Sequence, residues 1–527
     1  MQQLPTQRRA YALDALRGFA ILTMLLSALI PWGPLPGWMY HAQVPPPNHV
    51  FNPDIPGITW VDLVFPFFIF SMGVAFPFAL SRRMEKGATT LELVLSIFKR
   101  FISLVFFAII LEHFRPFVLS ARNVDPTQWG WAQEALAENG SLFMRGFIQL
   151  LSKWKWGAAL LGAVIIFFLW CRFPRHISAR KARNLKIGAF IVLVLALIGL
   201  SWHGYPTPVR GMEVFTPFRS GIILMVLASL QLVGSLIWLF TRNNLLARFS
   251  WMGIFLGARL SVAANDNWVS TLWHTTDIPL LSRLDVPQWL EWLTNFAWLG
   301  RMEYLKYIFI IIPGTIVGDM LLKWMKNSDQ EEKSSWNTGK ITGQILLMIG
   351  FIVVALAGYY ARWTVATPIA LFLMSAGGWF LFSNPSNSTE RLLQSLFKWA
   401  TYWLVLGAIL EPFEGGIKKD PNTFSYYFMM TALAIHLLMA FMLVIDVLKK
   451  QRWLQLLIDN GQNPMLAYMG SGNILQPILQ ITFLWEFFQW VIPEQYPWLG
   501  ALRGLFYTYL IAKIVQYYTR KKYFLRT

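Results

Sequence analysis

Cysteine is nearly absent: one residue, Cys171, serves a chain of 527, which excludes an internal disulfide and a thiolate metal cluster. Charge is scarce too, at 14%, with only 27 Asp and Glu against 45 Lys and Arg. A chain so poor in charge is not an ordinary soluble enzyme. It has no Walker loop, dinucleotide fingerprint, HExxH or GxSxG motif. It also lacks an internal repeat and the inverted pair of broken helices typical of transporters. No metal centre is expected.

What is abundant is apolar: 56% of the residues, with aromatics at 16%. Hydrophobic runs of bilayer-spanning length recur near 12–31, 61–80, 97–113, 157–172, 186–202, 220–240, 249–264, 304–322, 341–360, 364–383, 393–411, 424–446, 464–485 and 499–517. The expected fold is therefore an all-α, polytopic transmembrane helical bundle of about 12–14 spanning helices. The 26 Trp and 17 Tyr suit interfacial belts. The net charge of +18 sits in short inter-helix loops, the pattern of orientation signals and contact with anionic lipid headgroups rather than nucleic acid.

Loop charge sets the expected orientation. Segments 81–100, 171–186, 323–340, 447–453 and 518–527 carry five, six, four, three and four Lys or Arg, whereas 31–60 and 486–498 carry none. Both termini are then cytoplasmic, and 31–60 is external. The segment 114–156, with five basic residues, is the exception, and long translocated loops are partly exempt. Arg8 and Arg9 precede an apolar run as in a signal peptide, but Asp14 and Arg17 interrupt its start and no small-residue cleavage site follows, so a retained first helix is expected. The chain reads as one integral-membrane domain, 1–527. Trp-rich segments 114–156 and 265–303 lie at the outer leaflet, and the polar connector 327–339 is the expected boundary between two helical halves.

The chemistry concentrates in 11–80. Asp14 and Arg17 stand one helical turn apart in YALDALRGFAIL, and Asp62 begins the second apolar run, GITWVDLVFPFFIFSMG. Between them lie His41, His49 and Asp54. Charges at the mouth of membrane helices are costly unless paired or functional. Glu112, His113 and Glu411 fall at other helix ends expected on the same side, and Asn463 enters a late helix in GQNPMLAYMGSGN. A histidine beside carboxylates in a partly dry pocket can act as base or nucleophile near neutral pH. The plain alternatives are solvated helix ends, an intrahelical Asp14–Arg17 pair and an interhelical hydrogen bond at Asn463. Arg17 also suits a phosphate arriving from the cytoplasm.

LDALRGFAIL, then a loop with His-Ala, then GITWVDLVFPFFIFSMG, resembles the membrane acetyltransferases typified by heparan-alpha-glucosaminide N-acetyltransferase and their bacterial relatives of the DUF5009 type. Asp14, Arg17, Gly18, Ala20, His41, Gly57, Thr59, Asp62, Leu63, Val64, Phe65, Pro66 and Gly73 meet the pattern. IPGTIVGD, KKDPNTFSYYFMMTALA and GQNPMLAY echo it more weakly. The resemblance implies transfer of acetyl from cytosolic acetyl-CoA, as donor substrate, to the amine or hydroxyl of a sugar or glycan on the outer face. It implies His41 as the catalytic residue and Asp62 as its partner. The family loop between these two is short; here 20 residues intervene, and the inserted VPPPNHVFNPD brings His49 and Asp54 as alternative holders of the role. Ala28 stands where the animal enzyme has asparagine. LDALRGFAIL is also similar to the first helix of O-acyltransferases that modify surface polysaccharides, which keeps O-acylation open. The expected surroundings are membrane lipids in a bacterial cytoplasmic membrane, with room for a homo-oligomer. The competing readings are a transporter of glycans or lipid-linked intermediates, and a structural membrane protein with a degenerate site.

Overall fold

A computed structural model describes residues 9–33, 35–120, 133, 142–202, 216–264, 267–274, 294–296, 298–327 and 337–527. Among these, ten helices are long and apolar enough to cross a bilayer, or eleven if the bent pair Phe143–Ser152 and Trp154–Trp170, angled at 58°, counts as one span. The chain is an all-α polytopic membrane protein. Most of 265–303 and of 327–339, and the middle of 114–156, lie outside the described residues.

Two compact units divide the chain: residues 1–98, 230–265 and 305–464, and residues 99–229, 266–304 and 465–527. The first unit is built on α1 (Tyr11–Leu29) and α2 (Trp60–Met84). It continues through the later part of Ile222–Thr241, then α3 (Leu245–Ala264), α4 (Ile308–Asn327), α5 (Thr338–Tyr360), α6 (Ala366–Leu381), α7 (Ser388–Phe413), α8 (Phe424–Met442) and α9 (Gln455–Gly461). α8 is apolar all round and buried all round, every residue from Ser425 to Met442 being enclosed. That is the signature of a helix at the centre of a bundle.

Small residues let its neighbours approach. A methyl group at Gly18 of α1 would overlap the Leu457 carbonyl of α9, and one at Gly461 would overlap the Asp14 carbonyl, so these helices cross backbone to backbone. The α2–α4 crossing works the same way: a Cβ at Gly314 would stand 2.7 Å from the Phe70 oxygen, and one at Gly73 2.6 Å from the Ile311 oxygen. The Gly314/Gly318 spacing in IPGTIVGD serves this close packing.

The second unit contains α10 (Trp154–Trp170), α11 (Ala179–Trp202) and α12 (Pro497–Arg520). A two-stranded antiparallel pair, β1 (Cys171–Arg172) with β2 (Phe524–Leu525), fastens the C-terminal tail to the end of α10. The expected span 464–485 is not one helix. It breaks into Pro464–Tyr468, a wide turn over Gly470–Leu475 and Gln476–Ile481, and ends at Phe483 with a left-handed φ of 59°. The sequence GSGN followed by Pro477 explains the break, since glycine and proline are the weakest helix formers. α6 is shorter than a full crossing, at 16 residues, and α12 carries Arg503 and Lys513. These three segments account for the gap between the fourteen expected runs and eleven spans, and the bent pair is the fourth when ten are counted.

Candidate functional site

The site grows from the start of α2. Thr59 and Asp62 form a reciprocal cap in which Asp62 Oδ2 accepts the Thr59 N–H at 3.0 Å. The same oxygen accepts the Ala42 N–H at 3.3 Å, and Thr59 Oγ1 donates to the Tyr40 carbonyl at 2.6 Å. The loop containing His41 is therefore hung on the first turn of α2. Asp62 is completely buried, yet its other oxygen, Oδ1, accepts no hydrogen bond. That oxygen faces two cationic or protonated groups: His41 Nε2 at 3.3 Å and Lys419 Nζ at 3.7 Å. A buried carboxylate oxygen that faces a histidine and a lysine at a helix mouth marks a candidate functional site.

The His41 ring is oriented from both sides. Its Nδ1 accepts the Gln43 backbone N–H at 3.1 Å, so the proton of the neutral ring sits on Nε2. Nε2 also lies 3.7 Å from Asp420 Oδ2. The His41 side chain is 17% exposed and that of Asp420 44%, so the cluster grades from a dry carboxylate to a wet one across a single imidazole.

Lys419 and Asp420 come from the loop before α8, and a buried glutamine brings them in. Gln43 Oε1 accepts the Asp420 N–H at 2.8 Å, and Gln43 Nε2 donates to the Asp420 carbonyl and, at 3.3 Å, to that of Pro53. The loop is further closed by Lys418 N–H donating to Thr423 Oγ1 at 3.1 Å, and Glu414 accepts the Phe424 and Ser425 amides at 2.7 Å each, capping α8. Tyr426 donates its hydroxyl to the Asp62 carbonyl at 2.8 Å, tying α8 to α2 directly beneath the site.

Of the residues singled out in the sequence, the structure brings together His41 and Asp62. His49 lies elsewhere in the same loop, its Nε2 at 3.2 Å from the Gly33 carbonyl and its ring edge-on to Trp32 and Tyr40. Asp54 is exposed, its amide donating to Asn52. Asp14 pairs with Arg9 at 2.6 Å and with Arg17 at 3.9 Å, and Arg17 also donates to the Ser71 carbonyl at 3.3 Å. Glu411 ends α7 in an ion pair with Arg362 at 2.9 Å. Asn463 is fully buried just beyond α9. Glu112 and His113 belong to the second unit, where Glu112 pairs with Arg115 at 3.1 Å and His113 Nε2 accepts the Thr216 N–H at 3.2 Å.

Gln43, Lys419, Asp420 and Tyr426 were not singled out from the sequence. Lys419 and Asp420 of the loop and Tyr426 of α8 lie in KKDPNTFSYYFMMTALA, so their signal was the motif echo; Gln43 had none beyond its distance of two residues from His41. Among the described residues no group of three His, Cys, Asp or Glu side chains is placed to hold a metal ion.

A family model described as a domain of unknown function, DUF5009, matches residues 9–128 and 157–321, a little over half of the chain. It covers α1, α2 and the His41 loop, and carries no link to acyl transfer. No curated protein matches the chain.

Proposed function

The chain belongs to the DUF5009 family, and from that premise we propose that it is a membrane acyltransferase moving acetyl from acetyl-CoA to the amine or hydroxyl of a sugar or glycan. The observation that carries the reading is the half-satisfied buried carboxylate of Asp62, facing His41 Nε2 and Lys419 Nζ beside a second, wetter carboxylate. This is acid–base equipment at a helix mouth, and its first two members match the resemblance around His41 and Asp62.

The geometry favours direct transfer over an acyl-imidazole. With Nδ1 engaged by Gln43 and the proton on Nε2, neither ring nitrogen presents a free lone pair. In the proposed step the acceptor nitrogen or oxygen attacks the thioester carbonyl carbon, and its proton passes to the Asp420 carboxylate. His41 Nε2–H donates to the carbonyl oxygen as negative charge develops there, with Lys419 adding a nearby positive charge. The C–S bond then breaks and the departing thiolate takes the proton from Asp420. The products are free CoA and the acetylated acceptor, with Asp420 ionised again. Asp62 holds the His41 loop through the Ala42 N–H, and the Gln43 N–H holds the ring at Nδ1.

The first test is binding and turnover by the wild type. Acetyl-CoA at a hundredfold excess over its Kd should stabilise the purified protein by about 2.7 kcal/mol, and radiolabel should move to glucosamine or a related amino sugar. Neither stabilisation nor transfer across a panel of amino sugars and polysaccharides would overturn the reading and favour the transporter.

A further inference from the structure

In the second unit, α10 and α11 enclose a groove of about 630 Å³. Its walls are apolar along Leu161, Val164 and Phe168 on one side and Leu185 and Val192 on the other, and its mouth holds Ser178, Arg180, Lys181 and Asn184. We infer that this groove is a binding site for an anionic phospholipid, with the phosphate at Arg180 and Lys181 and one acyl chain running toward Val192.

Length supports this occupant. From Arg180 to Val192 is twelve helical residues, about 18 Å at 1.5 Å per residue, and half of a bilayer's hydrocarbon core is about 15 Å. The groove is one leaflet deep. Gly188, halfway along, has no atom within 4 Å of where a Cβ would stand, which leaves room for a chain.

Charge complementarity argues for an anionic head. Residues 171–186 contain six Lys or Arg and 518–527 contain four, with no carboxylate side chain in either segment. β1–β2 pairing brings the two segments to the same end of α10, reinforced by the Arg526 N–H donating to the Trp170 carbonyl at 3.0 Å and by ring contacts of Tyr523 with Phe167 and Phe173. Cations gathered at the polar end of an apolar, leaflet-deep groove match a phospholipid of net negative charge.

The experiment titrates the purified full chain in detergent with phosphatidylglycerol or with phosphatidylcholine of the same chains, counting bound lipids by native mass spectrometry. Phosphatidylglycerol should bind about tenfold more tightly. Arg180→Ala/Lys181→Ala and Gly188→Phe should each weaken it about fivefold or more, whereas Arg82→Ala/Arg83→Ala, an equal change of charge at exposed residues of the first unit, should leave it within about twofold. Gly188→Phe projects into open space, so it keeps the test decisive if the double variant fails to fold. Equal binding of the two lipids, equal losses in both double variants, or no effect of Gly188→Phe would each overturn the site. Competition by glycerol phosphate at matching concentration would assign the cations to a soluble phosphate and overturn it as well.

Discussion

At the scale of single residues, Gln43 has the largest expected effect for a group that touches no reacting atom. Its buried side chain holds the Asp420 backbone at both N–H and C=O, so Gln43→Ala leaves polar groups unsatisfied and frees the Lys419–Asp420 loop. The expected cost is about 1–3 kcal/mol of stability, read as a lower melting temperature, together with a transfer rate reduced about tenfold as Asp420 loses its position. Gln43→Glu should retain the acceptor half of the clamp and recover part of both. Cys171 gives a simpler test. Burial is the largest influence on its thiol, pushing it up to about 11, and it sits inside β1. Its thiolate is therefore scarce at pH 8 and becomes abundant only as the pH approaches the raised value. Maleimide should label the native protein slowly at pH 8 and the denatured protein fast; rapid native labelling would contradict the β1–β2 pairing. At this scale the sequence was legible where partners are near in the chain. Asp62 and His41 stood out because both flank an apolar run. Asp420 and Gln43 stand 377 residues apart, and nothing local in either segment announces the other. His49 was equally plausible by composition, but packing edge-on to Trp32 and Tyr40 holds it apart from the Asp62 cluster.

At the scale of elements, helix crossings decide stability. Gly18 of α1 and Gly461 of α9 each lie against the other helix's backbone, where no side-chain shift can make room. Gly18→Val should cost roughly 3 kcal/mol or more, seen as aggregation or a sharply lowered melting temperature, whereas Gly188→Ala on an open helix face should be neutral or slightly stabilising. A second element-level lock joins α3 to α4. Arg248, only 2% exposed, meets Asp319 at 2.7 Å, and Trp238 Nε1 donates to the same carboxylate at 2.9 Å. Removing one partner strands the other, so Arg248→Met should be tolerated better with Asp319→Asn than alone. Long apolar runs were legible because bilayer length and composition leave few alternatives. The broken 464–485 segment was not, because its mean apolarity matches a span while its glycines and Pro477 do not. Asp319 closes the IPGTIVGD echo, and its packing with Arg248 and Trp238 gives that motif a structural reason.

For the whole molecule, the central question is orientation and then activity. In the first unit Arg9, Lys326, Lys340 and Lys449 lie at helix ends opposite to those carrying His41 and Asp420; Lys326 pairs with Glu85, and Arg9 and Lys449 line one cavity of about 300 Å³. The positive-inside rule then predicts that His41 lies outside. A reporter active only outside, inserted after residue 50, should be active, and one inserted after residue 450 inactive; the reverse result would invert the account. Measuring label transfer from radiolabelled acetyl-CoA to glucosamine by wild type, His41→Ala and Asp420→Asn tests the central claim most directly. Wild-type turnover with losses of about 10²–10³ in His41→Ala and about 10²–10⁴ in Asp420→Asn, acetyl-CoA binding being retained, is the predicted result. Wild-type rates in both variants would contradict it.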